Sequence, residues 1–227
     1  MIRQFAQTIL GYPAEKAGEV LSVGAFCILF FMPLVGFLSA RVDARLLIGG
    51  GLIVISAALF RMTHIELGVD YHTLMMWRVY QAIGMAFVFV PVNTIAYTDM
   101  PAGASNQISA MANLMRNMGG SIGISAVTTL SARRQQVHQD YLAHNTYKYN
   151  PQLQQLLAQI TSRAATRTGS AQAMKQAYGR IYQIVQAQAA VLAYADIFWI
   201  LGAVCALAIG LLFFAKRNKP GQAAMGH

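Results

Sequence analysis

The sequence predicts an all-α, polytopic membrane protein, and three observations carry that reading. Of the 227 residues, 56% are hydrophobic and 11% charged, with a mean hydropathy of +0.44, whereas a soluble domain carries about 25% charged residues. The apolar residues form continuous runs between sparse charges, the pattern of spanning helices and not the alternation of a membrane barrel. Several runs also approach the roughly 20 residues that a helix needs to cross about 30 Å of hydrocarbon.

Five spans are expected. The first, 21–40, is free of charge and holds Pro33 and Gly36, both tolerated in a packed membrane helix. It ends at the turn Arg41-Val42-Asp43-Ala44-Arg45. The second, 46–65, reaches full length if Arg61 snorkels outward. The third, 73–98, has Arg78 near its start, read as an interfacial anchor, and Pro91 deep inside. A turn at Pro101-Ala102-Gly103 precedes the fourth, 105–131, and the fifth, 191–215, closes at Lys216-Arg217-Asn218-Lys219.

The interval 132–190 is too polar to span and is expected to be a helical insertion outside the membrane. Pro151 suits a first helical turn, and Leu153, Leu156, Leu157 and Ile160 recur at helical spacing. Gly169-Ser170 breaks that helix, and Tyr178, Ile181, Tyr182 and Val185 share one side of the next. The net charge of +9 is concentrated here, with seven basic residues against Asp140. That reads as a solvated or headgroup-facing segment and not as a groove for nucleic acid.

The basic residues of the short connections, Arg41, Arg45 and the Lys216 cluster, place those ends in the cytoplasm. Segment 1–20 and the 132–190 insertion then lie outside, and the tail 216–227 inside. Cys27 and Cys205 sit in apolar runs and read as packing residues. No zinc spacing, phosphate-binding loop or catalytic carboxylate pair is present, so neither metal nor cofactor is expected. His138 and His144 read as solvated.

The stretch Asn113-Leu114-Met115-Arg116-Asn117-Met118-Gly119-Gly120-Ser121-Ile122-Gly123 is the sharpest local signal. Arg116 is the one charge between Met100 and Ala132, and hydrocarbon offers its guanidinium no water. Two readings stay open: it faces a central cavity beside Asn113 and Asn117, or it snorkels to the near end of its helix and pairs with Asp99. Gln81 and Asn93 are further candidates for the cavity, or for hydrogen bonds between helices.

Gly119 and Gly123, extended by Ala112 and Ala126, form a small-residue contact surface, with Gly120 and Ser121 between them. The same residues match the G-x-S-x-G pattern of serine hydrolases. That pattern requires a strand-to-helix elbow and a base in reach, and no histidine lies deep in a span, so packing is preferred to an intramembrane hydrolase. Asp196 marks either an outer gate or the start of the last helix. None of the eight acidic residues is expected at mid-membrane.

The block from Arg116 through Ser125, followed by Thr128-Thr129, resembles the penultimate helix of EmrB/QacA-type drug:proton antiporters, the fourteen-helix branch of the major facilitator superfamily. Phe89-Val90-Pro91-Val92-Asn93-Thr94-Ile95 with Pro101 is similar to the helix before it. Asp196-Ile197-Phe198-Trp199 is similar to the start of the last helix. Gly36, Asp43 and Arg45 resemble a degenerate copy of the superfamily's loop motif.

The resemblance runs from Gly11-Tyr12 to Lys216 and covers five C-terminal helices. It implies the C-terminal part of a multidrug efflux permease of the bacterial inner membrane, one that exchanges small amphipathic drugs for protons. It also implies partners: the lipid bilayer, the N-terminal transporter helices that this stretch lacks, and a periplasmic adaptor with an outer-membrane channel. Alone, such a chain is expected not to pump, because alternating access rocks one half against the other. A non-transporting membrane module that binds an adaptor through the 132–190 insertion is the alternative.

Overall fold

The computed structural model describes residues 13–65, 69–97, 105–145, 151–165 and 170–212. All regular structure among them is helical: α1 (Ala14–Ser39), α2 (Ala44–Met62), α3 (Tyr71–Tyr97), α4 (Ser105–Asn145), α5 (Pro151–Ala165) and α6 (Ser170–Leu212). Four of these, α1, α2, α3 as far as Ile95, and α6 from Gln172, are long and apolar enough to cross a membrane. The architecture is that of an all-α, multi-pass membrane protein. The span expected over 105–131 falls on α4, which is more polar than those four because Asn106, Gln107, Asn113, Arg116 and Asn117 interrupt it.

Two helices run on past the expected span limits. Helix α4 runs through 131 to Asn145 in 41 residues, because Ile124 to Asn145 contains neither proline nor glycine and alanine, arginine and glutamine sustain a helix once it leaves the bilayer. Helix α6 likewise passes 190 without a break over 43 residues. Within the interval 132–190 only α5, which begins at Pro151, is a separate helix among the described residues.

Helix α3 packs between α1 and α2, and α2 also packs against α6. Helix α4 leans on α6 and scarcely touches α3, while α5 lies on the first part of α6. The core joins Val20, Leu59, Met62, Leu74, Val191 and Phe198 from four helices with Ile65 just past α2, near the end where α2 finishes and α3 begins. Outside it many large apolar side chains point outward: Phe30 is 78% and Leu207 72% exposed. That surface suits hydrocarbon and would be costly in water.

The closest helix contact is between α2 and α3. A Cβ added at Gly51 would stand 2.8 Å from the Gly84 carbonyl oxygen, and one added at Gly84 would stand 2.8 Å from the Gly51 oxygen and 2.7 Å from Ile55 Cγ1. Only residues without a side chain permit this approach. Nearby, the buried Ser56 hydroxyl donates to the Gly202 carbonyl at 3.0 Å and ties α2 to α6. Satisfying a hydroxyl against another helix is favoured where no water competes.

The small residues of α4 behave differently. Around the Cβ positions of Gly119, Gly120 and Gly123, no atom from another part of the described residues lies within 4 Å. Gly84→Val should therefore lower stability in mild detergent by about 1–3 kcal/mol through overpacking. Gly120→Ala should be neutral or slightly stabilising, since alanine favours a helix. Thermal unfolding of the two variants against the parent chain measures the contrast.

Candidate functional site between helices α3 and α4

The polar site grows from a backbone constraint on α3. The Asn93 amide nitrogen donates to the Phe89 carbonyl one turn earlier, at 2.7 Å, which leaves its oxygen free to accept. Arg116 Nη2 donates to that oxygen at 2.8 Å. On α4 itself, Arg116 Nη1 donates to the Asn113 oxygen at 3.2 Å, three residues back on the same face. The guanidinium carbon also lies 5.3 Å from the centre of the Phe89 ring, within cation–π range.

Arg116, Asn113 and Asn93 are thus brought together between two helices that otherwise scarcely meet. Asn117 takes no part in these contacts, and Gln81 lies twelve residues from Asn93 on α3, about 18 Å along the axis. Among the described residues no carboxylate lies within ion-pair distance of Arg116. Asp99, the expected partner, lies outside the described residues, as do Gly11, Tyr12, Pro101 and Lys216.

A guanidinium offers five N–H donors and no acceptor, and two of Arg116's groups are placed on amide oxygens. The remainder can hold a carbonyl, phenolate or carboxylate oxygen, with Phe89 supplying an apolar face. The surrounding surface is open: Met111, Leu114, Met115, Ile122 and Ile124 of α4 are each more than half exposed.

Gln81 belongs to a second polar contact. It accepts from Arg78 Nη1 at 2.6 Å, and Arg78 packs on Gly24 of α1, where an added Cβ would stand 3.0 Å from Nε. Arg78 is therefore half-buried between helices, a contact that its reading as an interfacial anchor did not include. Its Nε is buried without a hydrogen-bond partner.

Asp196 is not at a helix start. Helix α6 begins at Ser170, so the N-terminal dipole cannot explain the carboxylate, and α4 answers it instead. His138 Nε2 stands 2.8 Å from Asp196 Oδ2, and Arg134 Nε 3.8 Å from the same oxygen. His138 is 23% exposed, so it is a contact residue and not the solvated histidine expected. The i, i+4 spacing of Arg134 and His138 was the available signal, but it named no partner. A Gln135–Gln186 hydrogen bond of 3.4 Å supports the same seam.

In the loop motif, Asp43 caps α2 by accepting from the Arg45 backbone N–H at 3.2 Å. Gly36 has no neighbour near its Cβ position. Ser121 lies inside continuous α4, with no strand-to-helix elbow around it. Among the described residues no group of three His, Cys, Asp or Glu side chains is placed to hold a metal.

Residues 1–124 match the Major Facilitator Superfamily. The chain belongs to that superfamily. Among curated relatives it is 26% identical to the multidrug export protein EmrB of Escherichia coli K12 over 95% of the chain and 41% of the relative. It is 24% identical to the colistin resistance protein EmrB of Acinetobacter baumannii over 96% of the chain and 42% of the relative. To the uncharacterized MFS-type transporter YhcA of Bacillus subtilis it is 29% identical over 65% of the chain and 28% of the relative. The chain thus spans about two fifths of the length of the first two relatives. Among its relatives, this superfamily member counts proteins named for multidrug export.

The α4–α6 seam is testable as a coupled unit. Partly exposed ion pairs contribute at most about 1 kcal/mol, or roughly 2–4 °C in a chain of this size. Asp196→Asn and the double variant Arg134→Gln/His138→Gln should each lower the thermal midpoint by that order. Combining all three should lower it no further, whereas full additivity would show that the groups act separately.

Proposed function

We propose that this chain is the C-terminal part of a multidrug efflux permease that exchanges small amphipathic compounds for protons, and that it does not transport alone. The observation that carries the reading is Arg116. It is held on Asn93 and Asn113 beside Phe89, with donors to spare, on a face of α4 that the described residues leave uncovered. A transporter built of two halves places its substrate between them. A polar cluster opening onto an uncovered helix face is what one half contributes.

In this reading Gly119, Gly120, Ser121 and Gly123 form the contact surface for the N-terminal helices. Arg116, Asn93 and Asn113 meet the substrate, with Asn117 beside them. Gln81 serves Arg78 instead. Glu15, Glu19, Asp43, Asp70 and Asp140 lie in connections or the outer turns of helices, and Asp196, midway along α6, is taken up by His138 and Arg134, so proton coupling is assigned to the complementary helices. The bilayer is the bacterial inner membrane, with the N-terminus periplasmic and the C-terminus cytoplasmic. Ser121 is assigned no catalytic role.

A second reading, an adaptor-binding membrane module, is supported by α5 and the start of α6. Their packing buries Ala173, Ala177 and Ile181 and leaves Met174, Tyr178 and Tyr182 more than half exposed. Photocrosslinking from Tyr178 to a periplasmic adaptor, against labelling by lipid alone, separates docking from a hairpin resting on headgroups.

Transport is tested in vesicles with an imposed pH gradient and an amphipathic dye. The chain alone should give no proton-driven efflux. Produced with the N-terminal portion of an EmrB relative it should, and there Arg116→Ala should reduce efflux at least about tenfold, the effect of losing about 1.4 kcal/mol. Proton-driven efflux by the chain alone would contradict the proposal.

A further inference from the structure

Helices α2 and α3 enclose a groove of approximately 510 Å³ away from the Arg116 site. Its floor is apolar, with Ile53 and Met76 among the lining residues, and Trp77 and Tyr80 form its aromatic wall. At one end stand Arg61, in the last turn of α2, and His72, in the first turn of α3. From that end to Ile53 on α2, and to Tyr80 on α3, each wall runs eight residues, about 12 Å. That is most of the roughly 15 Å depth of one hydrocarbon leaflet.

Charge decides what fits. Arg61 makes no ion pair among the described residues, and no acidic residue lines the groove. Glu19, across from the start of α3, accepts from the Tyr71 hydroxyl at 2.8 Å, and Glu66 lies outside the described residues. A cation and an imidazole at the mouth, an apolar channel of one-leaflet depth behind them, and a tryptophan and tyrosine alongside match an anionic headgroup with its acyl chain.

We propose that the α2–α3 groove binds an anionic phospholipid, with the phosphate at Arg61 and His72 and one acyl chain along Ile53, Met76, Trp77 and Tyr80. The lipid joins the end of α2 to the start of α3 beside the main core. Being a fixed charge, Arg61 supplies most of the preference for an anion, and His72 adds a donor.

The chain has two tryptophans, so Trp199→Phe leaves Trp77 as the sole emitter inside the groove. This protein is reconstituted into bilayers containing dibrominated phosphatidylglycerol or dibrominated phosphatidylcholine, and quenching of Trp77 is compared at equal mole fraction. The anionic lipid should associate about fivefold more strongly, the effect of about 1 kcal/mol per basic residue. Arg61→Gln with His72→Asn should bring the ratio near one, while Arg61→Lys should keep it. Arg41, stacked on Phe37 at 4.2 Å, lies outside the groove, and Arg41→Gln should leave the ratio unchanged. Equal quenching by the two lipids, an unchanged ratio in the double variant, or an equal loss on Arg41→Gln would overturn the proposal.

Discussion

Helices α2 and α3 meet at Gly51 and Gly84 so closely that each α-carbon faces the other's carbonyl oxygen across a gap no side chain can enter. Between apolar helices in lipid no hydrophobic driving force distinguishes protein from solvent, so close packing and interhelical hydrogen bonds hold a bundle together. This contact, with Ser56 bonded to Gly202 beside it, sets where α3 stands. Everything functional follows from that position. Asn93 and Phe89 on α3 receive Arg116, and the opposite run of α3, from His72 to Tyr80, forms one wall of the lipid groove.

The chain places its charges by two different means. Acids and bases cap, stack or pair where water still reaches: Asp43 caps α2 and Arg41 lies on Phe37 at a helix end, and Arg134 and His138 meet Asp196 between two long helices. Within the helices, guanidiniums are answered by amide oxygens, Arg116 by Asn93 and Asn113, and Arg78 by Gln81. An amide oxygen stabilises a cation without neutralising it. The Arg116 site therefore keeps a positive field and unplaced donors, which is what a binding surface for electron-rich groups requires.

Much of this was legible in the residues, and the rest was hidden for definable reasons. Runs of apolar residues located α1, α2, α3 and the last part of α6, because hydrocarbon thickness dictates their length. Pro151 marked the start of α5, because proline acts locally; Gly169 lies outside the described residues. The continuity of α4 past residue 131 was not legible, since polarity marks the end of the apolar environment and not whether the helix ends with it. The pairing of Asp196 with His138 was missed because periodicity along one helix shows a face and not what the face meets. Small residues likewise show a face and not its partner. Gly119, Gly120 and Gly123 meet nothing from the rest of the described residues, whereas Gly51 and Gly84, 33 positions apart in sequence, approach each other closely.

The openness of that α4 face separates a self-contained bundle from one part of a larger transporter. It is measured most directly by a nitroxide at Ser121→Cys, with Cys27 and Cys205 replaced by serine, in the chain diluted in lipid bilayers. Oxygen accessibility of the label should match that of a label at Leu207, which is 72% exposed on α6. An accessibility as low as at Ala58, 4% exposed in α2, would mean that the chain covers the face itself and would contradict the assignment of Gly119 to Gly123 as an interface awaiting other helices.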